Sequence, residues 1–240
     1  MRLLIDAGNS RLKWAVAGPR GWDAQGDLGY AELGLLADVL PSVDRCFIAS
    51  VTGDRHERAL RELLGKGQIR AEWLAAERRF DDLANGYDDP AQLGVDRWMA
   101  VIAAHARKRG PLLVVSVGTA MTVDAVSTDG TFLGGLIVPG PALMRDAIAQ
   151  GTARVAAGNG CWQPFPSNSA DAVQSGIIAA LAGAVLVQHR QLAASAEDVC
   201  CFLTGGGAAM LQPHLPVALE WVPNLVLEGI DRVAQERRPA

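Results

Sequence analysis

Asp6-Ala7-Gly8-Asn9-Ser10, with Lys13 three residues further on, has a degenerate echo 110 positions later in Ser116-Val117-Gly118-Thr119-Ala120. Each copy follows a short apolar run, Leu3-Leu4-Ile5 in the first and residues 112–115 in the second. Each also precedes one, Trp14-Ala15-Val16 and residues 121–126. Strand, glycine turn and strand therefore occur twice. Alone, a Gly-Asn or Gly-Thr pair between apolar runs is ordinary hairpin punctuation. Repeated in both halves of a chain, it is also a way to grip a polyphosphate. Glycine lets the backbone approach the oxygens, while exposed N–H groups and Asn, Ser and Thr side chains donate hydrogen bonds to them.

Outward from the first copy, residues 24–29 read as a third strand and 31–40 carry helical spacing. Residues 45–50 read as a buried strand, 54–64 as an amphipathic helix and 69–74 as a short strand. The polar stretch 78–92, with Gly86 and Pro90, reads as an irregular loop. A long helix is predicted over 94–108, with Val95, Trp98, Met99, Ile102 and Ala106 on one face. Arg109-Gly110-Pro111 ends it, which predicts two domains, 1–110 and 111–240. Beyond the second hairpin the pattern predicts a strand pair through 131–138, helices at 141–150 and 169–192, and a strand at 199–203. Gly205-Gly206-Gly207 and a last helix from Asn224 follow. Strands alternating with helices after an opening meander imply an α/β sheet covered by helices. Two such halves fit an actin-like (ribonuclease H-like) architecture of duplicated domains, with a nucleotide expected in a cleft between the two tips.

Half of the 240 residues are apolar and a fifth are charged, so the chain reads as globular throughout. A net charge of -4 gives no electrostatic reason to expect nucleic acid or an anionic membrane as a partner. Met1-Arg2 runs straight into a strand-like segment and no apolar run reads as a bilayer span, so a cytoplasmic protein is expected. Cys46, Cys161, Cys200 and Cys201 lack C-x-x-C spacing and read as reduced thiols. The four histidines are scattered and receive no role.

Asp6 ends the first strand beside the glycine turn. A carboxylate there repels phosphate unless a cation intervenes, so it reads either as an orienter of hydrated Mg²⁺ or as a cap on turn N–H groups. Lys13 reads as a point charge for a terminal phosphate or as a solvated strand lysine. The triplet Gly205-Gly206-Gly207 after a buried strand leaves a flat backbone surface for adenine or ribose, or is a flexible turn. Gly94-Val95-Asp96-Arg97 sets an acid and a guanidinium at a helix start, where backbone N–H groups favour an anion. Arg97 suits a substrate carboxylate, and Asp96 suits acceptance of a hydroxyl proton, although Asp in a first turn is also an ordinary capping choice.

Taken in order, these elements resemble the type III pantothenate kinases. The resemblance rests on Asp6-Ala7-Gly8-Asn9-Ser10 with Lys13, Asn85-Gly86-Tyr87 and Gly94-Val95-Asp96-Arg97-Trp98. It continues through Gly118-Thr119-Ala120, Thr122-Val123-Asp124 and Gly134-Gly135-Leu136-Ile137-Val138-Pro139-Gly140. Asn168-Ser169 with Ala172 and Gly176, the glycine triplet and Asn224-Leu225-Val226-Leu227-Glu228-Gly229 complete it. The resemblance implies an actin-like homodimer that transfers the γ-phosphate of ATP to pantothenate in the first step of coenzyme A synthesis. It implies Asp96 as general base and Tyr87, Gly94, Val95, Asp96, Arg97 and Ser169 as the pantothenate site. ATP with Mg²⁺ would be held by Asp6, Ala7, Gly8, Asn9, Ser10, Arg11, Leu12, Lys13, Thr119, Gly205 and Gly206, with Asp6 positioning the metal through water. Ser169 stands where the family usually has threonine, so the hydroxyl is kept. Ser116 stands where the family usually has an acid associated with a monovalent cation. A hydroxyl supplies an oxygen but no charge, so a requirement for K⁺ or NH₄⁺ stays open, as does compensation by Asp124. The resemblance also leaves two alternatives: another small-molecule kinase of the same fold, or an accessory transcription factor of the same family.

Overall fold

The computed structural model describes residues 1–152 and 160–237, which form two compact units. The first holds Met1–Arg107 and the chain from Asn224 onward, and the second holds Lys108–Pro223. In chain order the first unit contains β1 (Arg2–Ala7), β2 (Leu12–Gly18), β3 (Gly21–Leu28), 3-10 helices at Tyr30–Asp38 and Leu40–Ser42, and β4 (Arg45–Ser50). It continues with α1 (Asp54–Lys66), β5 (Arg70–Trp73), the short pair β6 (Arg79–Phe80) and β7 (Leu83–Asn85), a 3-10 turn at Pro90–Gln92 and α2 (Val95–Arg107). The second unit contains β8 (Leu112–Val117), β9 (Ala120–Val126), β10 (Thr131–Pro139), α3 (Pro141–Gly151) and α4 (Ser169–Ala193). After these come β11 (Cys200–Thr204), α5 (Ala208–Leu211) and β12 (Leu219–Trp221). The helix α6 (Leu225–Glu236) returns to the first unit.

The repeat seen in the sequence is a repeat of topology. In the first unit β1 is central: β2 and β3 follow it antiparallel on one side, and β4 and β5 lie parallel on the other. In the second unit β8 is flanked by antiparallel β9 and β10 and by parallel β11 and β12 in the same order. The offset of 110 residues also holds face by face. Leu3, Ile5 and Ala7 enter one core cluster with Leu36, Leu60 and Leu64, and Leu113, Val115 and Val117 enter the other with Ile177, Leu181 and Val185. Because side chains alternate along a strand, Asp6 and Ser116 are both turned to the face opposite those clusters.

Four expectations change. Residues 31–40 form 3-10 helix, since Leu33 and Leu36, three apart, satisfy its period as well as that of an α-helix. The stretch 78–92 is not wholly irregular, because it contains the β6–β7 pair and a 3-10 turn. The second domain does not run to the C-terminus: α6 packs on α2 so closely that a β-carbon on Gly229 would overlap the Met99 carbonyl. Finally, α4 is long and apolar enough, at mean hydropathy 1.7, to cross a membrane by length and composition alone. Its Ile177, Leu181, Val185 and Leu192 are nevertheless buried in the core of the second unit.

Candidate active site

The first hairpin builds its site by register. Asp6 on β1 pairs with Lys13 on β2, which pairs with Asp27 on β3, so the three side chains form a row across the sheet. The turn between the strands closes with Gly8 N–H donating to the Arg11 carbonyl at 3.1 Å. Asn9, Ser10 and Arg11 are exposed at its tip, and Arg11 reaches Asp27 at 2.5 Å. Ala7 and Leu12, expected at the nucleotide, have side chains in the core, so what they can offer a ligand is backbone.

Asp96, 90 residues away in sequence, comes to the same place. Asp6 is only half-buried by surface area, but protein surrounds its carboxyl on nearly every side. That burial, and next the charge of Asp96, push the Asp6 carboxyl from 3.8 up to about 7, against the lowering effect of Lys13. The Asp96 carboxyl is likewise raised by burial, although Arg97 N–H donates to its Oδ1 at 2.8 Å and opposes the shift. Two acids made reluctant to ionise together, with a lysine beside them, form a group that a divalent cation would relieve. Mg²⁺ takes few protein carboxylates and keeps water and phosphate oxygens, so this pair fits it. Among the described residues no cluster of three or more His, Cys, Asp or Glu could hold a metal by itself.

Of the predicted substrate residues, Tyr87 and Asp96 meet through Arg97. Its buried guanidinium donates from Nη1 to the Tyr87 hydroxyl at 3.0 Å. Tyr87 is fixed in turn by its N–H on Asn85 Oδ1 at 3.1 Å, and Asn85 donates to the Glu77 carbonyl at 3.2 Å. The motifs at 85–87 and 94–97 are thus one hydrogen-bonded assembly. Gly94 precedes the helix, and Val95 is a buried core residue.

In the second unit, Thr119 lies in the turn of the second hairpin, where Gly118 N–H donates to the Ala120 carbonyl at 3.0 Å. The glycine triplet packs against the end of β8: Gly207 N–H donates to the Val117 carbonyl at 2.9 Å. Gly205 has φ +91°, and a β-carbon there would strike the Val117 backbone, so glycine is required on both counts. Gly206 has open space around its Cα. Ser116 is flanked in register by Thr122 on β9 and Thr204 on β11. Ser169 is the exposed first residue of α4, whose N-cap Asn168 accepts from Asp171 N–H at 2.9 Å.

Three residues beside the first hairpin were not found by sequence reasoning. Tyr30 donates its hydroxyl to the Gly8 carbonyl at 2.6 Å, its ring is stacked on His56, and His56 Nδ1 lies 2.9 Å from Thr52 Oγ1. No motif marks them, because they come from two elements 22 and more residues beyond the turn. A cavity of about 320 Å³ in the first unit is lined by Trp22, Arg107, Glu228, Asp231 and Arg232, of which Glu228 alone belongs to a quoted motif. Its acids are engaged, Glu228 by Arg107 and Asp231 by Arg2 and Trp22.

A family model for type III pantothenate kinases matches residues 2–191. The chain belongs to the type III pantothenate kinase family. A relative of that name from Thiobacillus denitrificans is 56% identical over 235 residues, covering 98% of this chain and 96% of its own. Another from Azoarcus sp. is 45% identical, covering 98% and 90%. Among solved structures, a Sinorhizobium meliloti protein assigned as a 2-dehydro-3-deoxygalactonokinase aligns with TM-score 0.66 at 17% identity over all of both chains. A Campylobacter jejuni protein assigned to the Baf family of transcriptional activators gives 0.65 at 22% identity over 98% of each. An archaeal actin homologue, Ta0583, gives 0.52 at 11% identity over 99% of each. At these identities the structural likenesses carry the fold alone, and that fold is actin-like. The residues assembled around Asp6 and Asp96 are among those on which membership of this pantothenate kinase family was expected from the sequence.

Proposed function

We propose that this chain transfers the γ-phosphoryl group of ATP to the primary hydroxyl of pantothenate, giving 4'-phosphopantothenate in the first step of coenzyme A biosynthesis. The observation that carries the reading is the meeting of Asp6, Lys13, Asp96 and the Arg97–Tyr87 pair within one unit of a member of this family. Arg97, with Tyr87, holds the pantothenate carboxylate, and Gly94, Val95 and Ser169 complete the substrate contacts. Asp96 accepts the hydroxyl proton as that oxygen bonds to the γ-phosphorus and the bond to ADP breaks. A raised carboxyl is the better base for this task, and the loose transition state of phosphoryl transfer does not demand early deprotonation.

ATP is held in this reading by the backbone of Ala7, Gly8 and Leu12 and by Asn9, Ser10, Arg11 and Lys13, and Thr119, Gly205 and Gly206 are the further nucleotide contacts that the resemblance implies. Asp6 would hold Mg²⁺ through water, and the cation would supply neutralisation of the charge on the phosphate oxygens. A monovalent cation would take oxygens from Ser116 and its neighbours. The side-chain oxygen of Thr122 is buried without a hydrogen-bond partner, which supports an oxygen site there, but a set of hydroxyls holds K⁺ or NH₄⁺ more weakly than a carboxylate does.

The protein acts as a cytoplasmic homodimer in this reading. The apolar helix α2 is not the subunit contact in this reading, because Arg97 through His105 are all buried. The outer face of α4 replaces it: Ala172, Gly176, Ala179, Ala180 and Val187 are exposed on an apolar helix.

Release of ADP from Mg·ATP, measured with pantothenate, hexoses and short hydroxy acids as acceptors in sodium, potassium and ammonium salts, tests the reading. Turnover is expected with pantothenate. Turnover with hexoses but not pantothenate would overturn it.

A further inference from the structure

The glycine turn of the first hairpin is held from behind by a group that neither the motifs nor the family resemblance identified. Tyr30, the first residue of the 3-10 helix after β3, donates its hydroxyl to the Gly8 carbonyl across 2.6 Å. Its ring lies flat on His56, with centroids 3.7 Å apart and planes 2° from parallel. Thr52 Oγ1 meets His56 Nδ1 at 2.9 Å and also hydrogen-bonds the Tyr30 hydroxyl. The next residue of α1, Glu57, accepts from Ser50 Oγ at 2.8 Å, so the end of β4 and the start of α1 are tied together beneath the stack. Val51 N–H donates to the Ala7 carbonyl at 3.0 Å and fastens the same corner to β1.

The Gly8–Asn9 peptide is trans, so its C=O and N–H point in opposite directions. A carbonyl captured by Tyr30 therefore turns the Asn9 N–H away from Tyr30, to the free side of the turn. A peptide free to rotate would present its carbonyl there part of the time, and a carbonyl repels phosphate. Holding the donor outward in advance removes an ordering cost that nucleotide binding would otherwise meet.

We infer that Tyr30 is a positioning residue for the phosphates of the nucleotide: it orients the Gly8–Asn9 peptide so that Asn9 N–H is presented to them, while His56 and Thr52 hold the Tyr30 ring and hydroxyl in place. This rests on the nucleotide-binding role of the hairpin proposed above. Tyr30 touches no reacting atom and acts through the turn.

Titration calorimetry with Mg·AMPPNP on the full chain tests it, together with KM values for ATP and pantothenate. Tyr30→Phe keeps the stack and removes the hydroxyl; nucleotide affinity should fall roughly 3- to 10-fold, the worth of one neutral hydrogen bond. The rise in KM should fall on ATP and not on pantothenate, whereas a merely structural loss would move both and lower the melting temperature with them. His56→Ala keeps the hydroxyl and removes the ring behind it, with an expected loss of about 2- to 3-fold. Wild-type protein that binds AMPPNP while both variants bind it equally well would overturn the role of Tyr30 and leave the kinase reading standing. Wild-type protein that binds no nucleotide would overturn both.

Discussion

Asp6 ionises near 3.8 in an unfolded chain and near 7 in its niche beside Asp96, so between those values the folded protein holds a proton that the unfolded one has lost. Folding stability from this group is therefore fully present below about pH 3.8 and is lost as pH rises through 7. Above 7 the ligand-free protein carries the whole penalty of a buried anion next to another, at most about 4 kcal/mol. Asp6→Asn should accordingly raise the melting temperature of the ligand-free protein at pH 8, with the gain shrinking by pH 5. Calorimetry at the two pH values checks this, and an equal gain at both, or a loss at pH 8, would contradict it. The same variant should lose the stabilisation that Mg·ATP gives to the wild type. A carboxylate that costs the empty fold and would be relieved by a ligand fits the expected trade between stability and function. The Asp6–Lys13 row was legible in the sequence, because a hairpin with a short turn fixes its own register. The Asp6–Asp96 and Tyr30–Gly8 meetings were not, since each joins elements separated by intervening strands or helices, and no local pattern records such a distance.

At the scale of elements, α6 approaches α2 closely because Gly229 has no side chain. An added methyl group there would overlap the Met99 carbonyl. Alanine is favoured over glycine inside a helix by about 1 kcal/mol, and overpacking of this kind costs about 1–3 kcal/mol, more where the obstacle is backbone. Gly229→Ala is thus predicted to destabilise on balance. Gly65→Ala in α1, where nothing stands within 4 Å, should stabilise slightly. Urea unfolding of the two variants separates packing from propensity, and a stabilised Gly229→Ala would show that the helices are not so close. This approach explains why the return of α6 to the first unit could not be read from its sequence: the strip of apolar residues predicts a helix but not which sheet receives it. The strands β6, β7 and β12 are two or three residues long, too short for alternation to show, whereas α2 carried its face over thirteen residues and was found nearly whole.

At the scale of the whole molecule, the faint second copy of the hairpin predicted a duplicated fold, and β1–β5 and β8–β12 have the same order and the same directions within their sheets. What diverged is the chemistry on the two copies: the first keeps an acid at Asp6, and the second has Ser116 at the matching place. The outer face of α4 offers small apolar residues for a second copy of the chain. Ala180→Glu, on that face, is expected to convert a dimer to a monomer in sedimentation equilibrium. Wild-type protein that is monomeric at all concentrations would remove the dimer from the account. The central claim is that Asp96 takes the proton of the pantothenate hydroxyl in a site organised around Asp6 and Arg97. The most direct measurement compares kcat for pantothenate phosphorylation and Kd for Mg·ATP in the wild type and in Asp96→Asn. The account predicts a kcat lower by roughly 10² to 10⁴ with nucleotide affinity nearly intact. A near wild-type kcat in that variant would contradict it.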